Sequence, residues 1–232
     1  MTLFRTAFYW FIVLALILVA GFWKSYFSRL GAIDHLTHHF HAVAMLGWMA
    51  LLIAQSWLIR NRKNALHRSL GKLSFIVAPA VVISGFMVTF YSQATARNPQ
   101  AEPTVAIFWF GLFLAVLFAT LYIQAIRHRK NMKLHARFMI ATAWVFLLPG
   151  LARALGQYIA PLGIWTPTFY QMMWIPVIFG AWLLFLDLKN KQPAGPFLFS
   201  NIAWVVNNIG WISFYNMGPF RDFAVWSASN LG

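Results

Sequence analysis

Two short blocks hold the residues of this chain best suited to chemistry. Leu66-His67-Arg68-Ser69-Leu70-Gly71 follows one run of basic residues, and Leu134-His135-Ala136-Arg137 follows a second, closely similar run. Each block closes one long apolar segment and opens the next. The two imidazoles therefore occupy equivalent positions in a repeat and are expected at the same depth on their helices. Two imidazoles related in this way can face one ligand from opposite sides, as axial ligation of a haem iron requires. Gly71, one turn beyond His67, would leave room for a porphyrin edge, while the second copy has the bulkier Met139 there. Arg68 and Arg137 are the cations that would pair with an anionic group of such a cofactor. The competing reading is that both histidines cap their helices or bind lipid phosphate.

A second constellation lies at 34–41: Asp34, His35, His38, His39 and His41. On a helix, His35, His38 and His39 share one face by i,i+3 and i,i+4 spacing, and Asp34 can add an oxygen, so the pattern suits zinc or copper. The bland alternative is a polar helix start at a membrane interface. Arg153 is the third anomaly. A cation deep in an apolar segment costs about 3 kcal/mol on insertion scales unless it finds a partner. Gln157, Tyr158 or a carbonyl of the last span are the ordinary partners, and an anionic ligand or a quinone oxygen is the functional one.

The elements that must position these residues are membrane helices. Hydrophobic residues make up 61% of the 232 and charged residues 9%, and several apolar runs approach the roughly 20 residues that cross a bilayer. The formal charge of +14 would suggest nucleic acid in a soluble protein, but these cations cluster in short connections between spans, so no nucleic-acid partner is expected. With no cysteine, disulfides, thiolate-held clusters and thioether-attached haem are excluded. The hydropathy pattern predicts seven spans near 3–23, 39–58, 70–92, 104–126, 135–159, 168–188 and 197–215, forming one transmembrane domain over 1–232. The basic connections are expected in the cytoplasm, which puts the amino terminus inside and the carboxy terminus outside. Asn207 and Asn208 in the last span read as interhelical hydrogen-bonding groups.

The repeat predicts that spans two to three and four to five are related by an axis along the membrane normal and form a four-helix core, with the other spans peripheral. Pro79 and Pro149 are expected to kink the third and fifth spans at similar depth. The set His41, Leu66 to Gly71, Leu134 to Ile140 and Arg153 resembles a group of bacterial inner-membrane proteins that carry a domain of unknown function, over roughly 41–153. That resemblance implies a compact multi-span helical protein of the inner membrane. A weaker likeness is to transmembrane b-type cytochromes, which pair histidines across a four-helix core; it implies one haem at most, because the fourth span has no histidine.

These observations support a membrane redox protein that uses His67 and His135 to hold a b-type haem or to position a quinone. The rival is a non-enzymatic accessory subunit, sensor or small transporter with an external histidine metal site, whose partners would be membrane lipid, another membrane protein or a second copy.

Overall fold

In lipid, a backbone group that is not bonded within its own segment costs several kcal/mol, so apolar runs of this length have little choice but helix. The computed structural model describes residues 2–33, 35–213 and 217–230. Among them it contains α-helices and short helical turns but no strand: α1 (Thr2–Phe22), α2 (Leu36–Arg60), α3 (Asn64–Gly71), α4 (Ser74–Ala94), α5 (Glu102–Arg127), α6 (Met132–Ala154), α7 (Phe169–Met172), α8 (Trp174–Lys189), α9 (Gly195–Ser213) and α10 (Gly218–Asn230). Six stretches are long and apolar enough to cross a membrane, or seven if α9 and α10 form one bent span. The chain is an all-α, polytopic membrane bundle.

Helices α2, α4, α5 and α6 pack in that order around a common core. Trp48 of α2 is fully buried at its centre; its indole donates to Thr142 Oγ1 at 3.2 Å, and its ring meets Phe118 and Tyr122 edge-on at 5.0 and 5.5 Å. Helix α1 is not peripheral as expected. It packs on both α2 and α6, because small residues let the backbones close up: a Cβ built on Gly21 would collide with the Gly150 carbonyl. Gly21→Val should therefore cost about 1–3 kcal/mol by overpacking. Comparing thermal unfolding of that variant with Gly31→Val, where a Cβ meets nothing within 4 Å, checks this.

The expected third span is also corrected. It does not run unbroken from residue 70, since i→i+3 bonds from Lys72 to Ser69 and from Leu73 to Leu70 separate α3 from α4. Pro79 and Pro149 both lie inside helices that continue through them. Asn207 and Asn208 are buried; Asn208 donates to the Met173 carbonyl at 3.2 Å and ties α9 to the start of α8. Tyr215, the expected end of the last span, lies outside the described residues.

Candidate functional site

The two Leu-His blocks meet at one end of the bundle, termed here the basic end because both Arg/Lys-rich connections lie there. Asn131 caps α6 by accepting from the amides of Lys133 and Leu134 at 3.1 and 3.3 Å, which sets His135 in the first turn. His67 holds the matching register, the fourth residue of α3 as His135 is of α6, and each backbone N–H bonds the carbonyl of the residue before its helix; α3, however, is short and set off from α4. Gln55 of α2 meets its last turn. Its amide nitrogen donates to the His67 carbonyl at 3.2 Å while its oxygen accepts from the Gly71 amide at 2.9 Å, the i,i+4 pair of the last turn of α3. Directly after this contact the ladder tightens to i→i+3 bonds at Lys72 and Leu73, whose backbone angles stay helical. Met139 leaves no such gap in the second copy.

The tertiary fold nevertheless brings the imidazoles together, with ring centroids 6.5 Å apart and planes at 77°. Directly hydrogen-bonded rings would lie about 5 Å apart, given an N···N contact near 2.9 Å. The separation is that of two groups able to share a third. Their tautomers are set from behind. His135 Nδ1–H donates to the Ala125 carbonyl at 2.8 Å, which leaves Nε2 of the neutral ring as an acceptor. With the Gln55 amide oriented so that its oxygen meets the Gly71 N–H, its nitrogen donates to His67 Nδ1, and the neutral His67 ring then carries the proton on Nε2. Burial, His135 and Arg68 all hold the His67 imidazole below the usual histidine range, which favours its neutral form. The pair therefore offers one donor and one acceptor.

The network continues inward. Gly71 O accepts from Ser74 Oγ at 2.7 Å, and Ser74 Oγ lies 3.0 Å from Tyr122 Oη. Gln55, Ser74 and Tyr122 are thus site residues that sequence reasoning missed. A single polar residue on each of three apolar helices carries no motif, although Gln55 lies at helical spacing from His41 and Trp48 on one face of α2.

Other expected members lie elsewhere. Arg137 faces away from the histidines and forms a buried, bidentate ion pair with Asp187 of α8 at 2.5 and 2.6 Å, with its remaining arm on the Lys133 carbonyl at 3.0 Å. That guanidinium is committed to a carboxylate of the protein, not to a cofactor anion as expected. Gly71 does not open onto a porphyrin edge either, because the Gln55 side chain fills the space in front of it.

Arg153 lies towards the opposite end of the bundle. It donates to the Pro149 carbonyl at 3.0 Å and lies over the Phe22 ring at 4.6 Å. Gln157, an expected partner, bonds the Gly21 carbonyl at 2.7 Å instead.

The histidines at 35–41 do not converge. His35 precedes α2 as its cap and stacks on Tyr91 at 3.9 Å, and His38 meets the same ring edge-on at 5.2 Å. His39 uses both nitrogens, on Tyr26 Oη at 3.0 Å and the Ile33 carbonyl at 2.9 Å. His41 Nδ1 lies 3.2 Å from Ser84 Oγ. Among the described residues no group of three His, Asp or Glu is arranged to hold a metal ion; Asp34 lies outside them.

Fold and site together define the class: a polytopic helical membrane protein with a paired-imidazole site at its basic end. Comparisons with family models, with curated proteins and with solved structures returned no match.

Proposed function

We propose that this is a redox protein of the bacterial inner membrane that holds one oxygen of a quinone between His67 and His135 at the cytoplasmic face. The observation that carries this reading is the donor and acceptor pair at 6.5 Å. A b-type haem suits the same residues less well. Axial ligation needs an unprotonated nitrogen from each ring, whereas the Gln55 contact puts the His67 proton on Nε2 and the Gln55 side chain fills the space at Gly71.

A quinone, when bound, supplies coupled electron and proton transfer at its ring oxygens. The chain's own part is positioning and proton exchange. His67 Nε2–H donates to an oxygen of the ligand, and His135 Nε2 accepts from a hydroxyl. Gln55 and the Ala125 carbonyl keep the two rings in complementary tautomers, as partners behind a working imidazole do. The exposed apolar residues Leu66 and Met132 stand one and three positions before the histidines and suit entry from the membrane.

Purified protein in nanodiscs should bind a short-chain ubiquinone and lose it on His135→Ala. Sharp α and β bands in its reduced optical spectrum would mean that haem holds the site and would overturn the reading.

The cytoplasmic placement has its own check, because translocating connections this rich in Arg and Lys is disfavoured. The parent has no cysteine, so single thiols can be introduced cleanly. Asn64→Cys and Asn131→Cys should resist an impermeant reagent added outside, while Gln100→Cys reacts. External labelling of Asn64→Cys would reverse the orientation.

A further inference from the structure

A second site lies on the other side of α6. Helix α1 packs along one flank of α6 and α8 packs mainly on α9, which leaves a cavity of about 520 Å³ between α1 and α8 with α6 as its floor. Its walls are apolar and aromatic, including Trp10, Phe11, Leu14, Trp144 and Phe179. Its end at the basic side is polar: the Arg137–Asp187 ion pair, then Asn190 and Gln192. The volume falls in the range of small-molecule and cofactor sites, about 300–1,000 Å³. A slot that is apolar along its length and polar at the interfacial end matches an amphiphile standing parallel to the helices.

Charge selects among amphiphiles. Lys189 and Lys191 flank the lining residues Asn190 and Gln192, and Lys133 lies one turn before Arg137 on α6. The chain has 4 acidic residues in all, and Asp187 is the one among the described residues that lies at this end; it is already paired with Arg137. The segments that carry the polar lining residues therefore bear a net positive charge. Basic pockets between helices on one membrane side recognise anionic headgroups.

We propose that this groove binds an anionic phospholipid, with an acyl chain between α1 and α8 and its phosphate at Lys133, Lys189 and Lys191. The ion pair beneath presents a neutral, fully bonded floor, so the lipid replaces no partner of Arg137. This site is independent of the histidine pair.

The test is native mass spectrometry of the delipidated full chain with added phosphatidylglycerol, phosphatidylethanolamine or a long-chain ubiquinone. Phosphatidylglycerol should bind in one copy and more tightly than phosphatidylethanolamine. Lys189→Gln with Lys191→Gln should remove that preference, weakening phosphatidylglycerol on the order of tenfold or more. Val13 lines the slot and is exposed, so Val13→Trp fills it without touching the core and should abolish binding of the single copy, while ubiquinone binding at the histidine pair persists. Equal binding of the two phospholipids, retention of lipid by Val13→Trp, or one-for-one displacement by ubiquinone that Val13→Trp prevents would each overturn the proposal. The last outcome would assign the groove to a quinone tail instead.

Discussion

Asp187→Ala is expected to cost about 3–5 kcal/mol of stability, the largest effect of any single change considered for this chain, because it leaves the Arg137 charge buried and unpaired. Both side chains are almost completely shielded, at 3% and 6% exposure, and the pair is bidentate. In the low dielectric of a membrane bundle a neutral carbonyl such as that of Lys133 compensates a buried guanidinium less than a carboxylate does. Replacing both partners by leucine removes the uncompensated charge and should recover most of the loss, since buried ion pairs exchanged for apolar groups of similar volume are often neutral. Thermal unfolding in detergent, followed by retention of the monodisperse species, measures all three proteins. A single variant within about 1 kcal/mol of the parent would show that Arg137 is compensated by other groups.

Loss of either imidazole should have the second largest effect. His67→Ala and His135→Ala are each expected to weaken quinone binding by on the order of tenfold or more, since a hydrogen bond to a buried ligand group is lost and its partner is left unsatisfied. The double variant should add little to either single change, because residues that share one ligand are strongly non-additive. Gln55→Leu should act in the same direction with a smaller size, by releasing the tautomer of His67 without removing the ring. Arg68→Gln should have less effect than either histidine change. Titration of the five variants with a short-chain ubiquinone, alongside their unfolding temperatures, separates binding from stability. Independent, additive losses in the two histidine variants would dismiss a shared site.

The membrane spans were legible because lipid leaves a chain one economical way to bond its backbone, and the stretches near 39–58, 104–126 and 168–188 reappear as α2, α5 and the α7 and α8 pair with only their ends shifted. The pairing of His67 with His135 was legible from the duplicated blocks, since repeated sequence places like residues alike. The copies differ after the histidines: Gln55 contacts the last turn of α3 and the ladder there changes to i→i+3 bonds, whereas α6 runs on without interruption. The histidines at 35–41 show the opposite limit. Their spacing is correct for one helical face, but His35 lies before the helix and Tyr91, from a distant part of the chain, draws two of the rings to itself.

By itself the sequence determined the class of molecule, the number of spans to within one, and the two histidines that face each other, because all three rest on hydrophobic length and on repetition along the chain. Only the tertiary structure decided what each polar group does inside the bundle. Arg137 and Asp187 are 50 positions apart and belong to no shared motif, yet they form a buried, bidentate ion pair. The partner of a buried charge is chosen by the packing of helices against one another. Hydropathy records how deeply a residue lies and leaves open which neighbour it meets there.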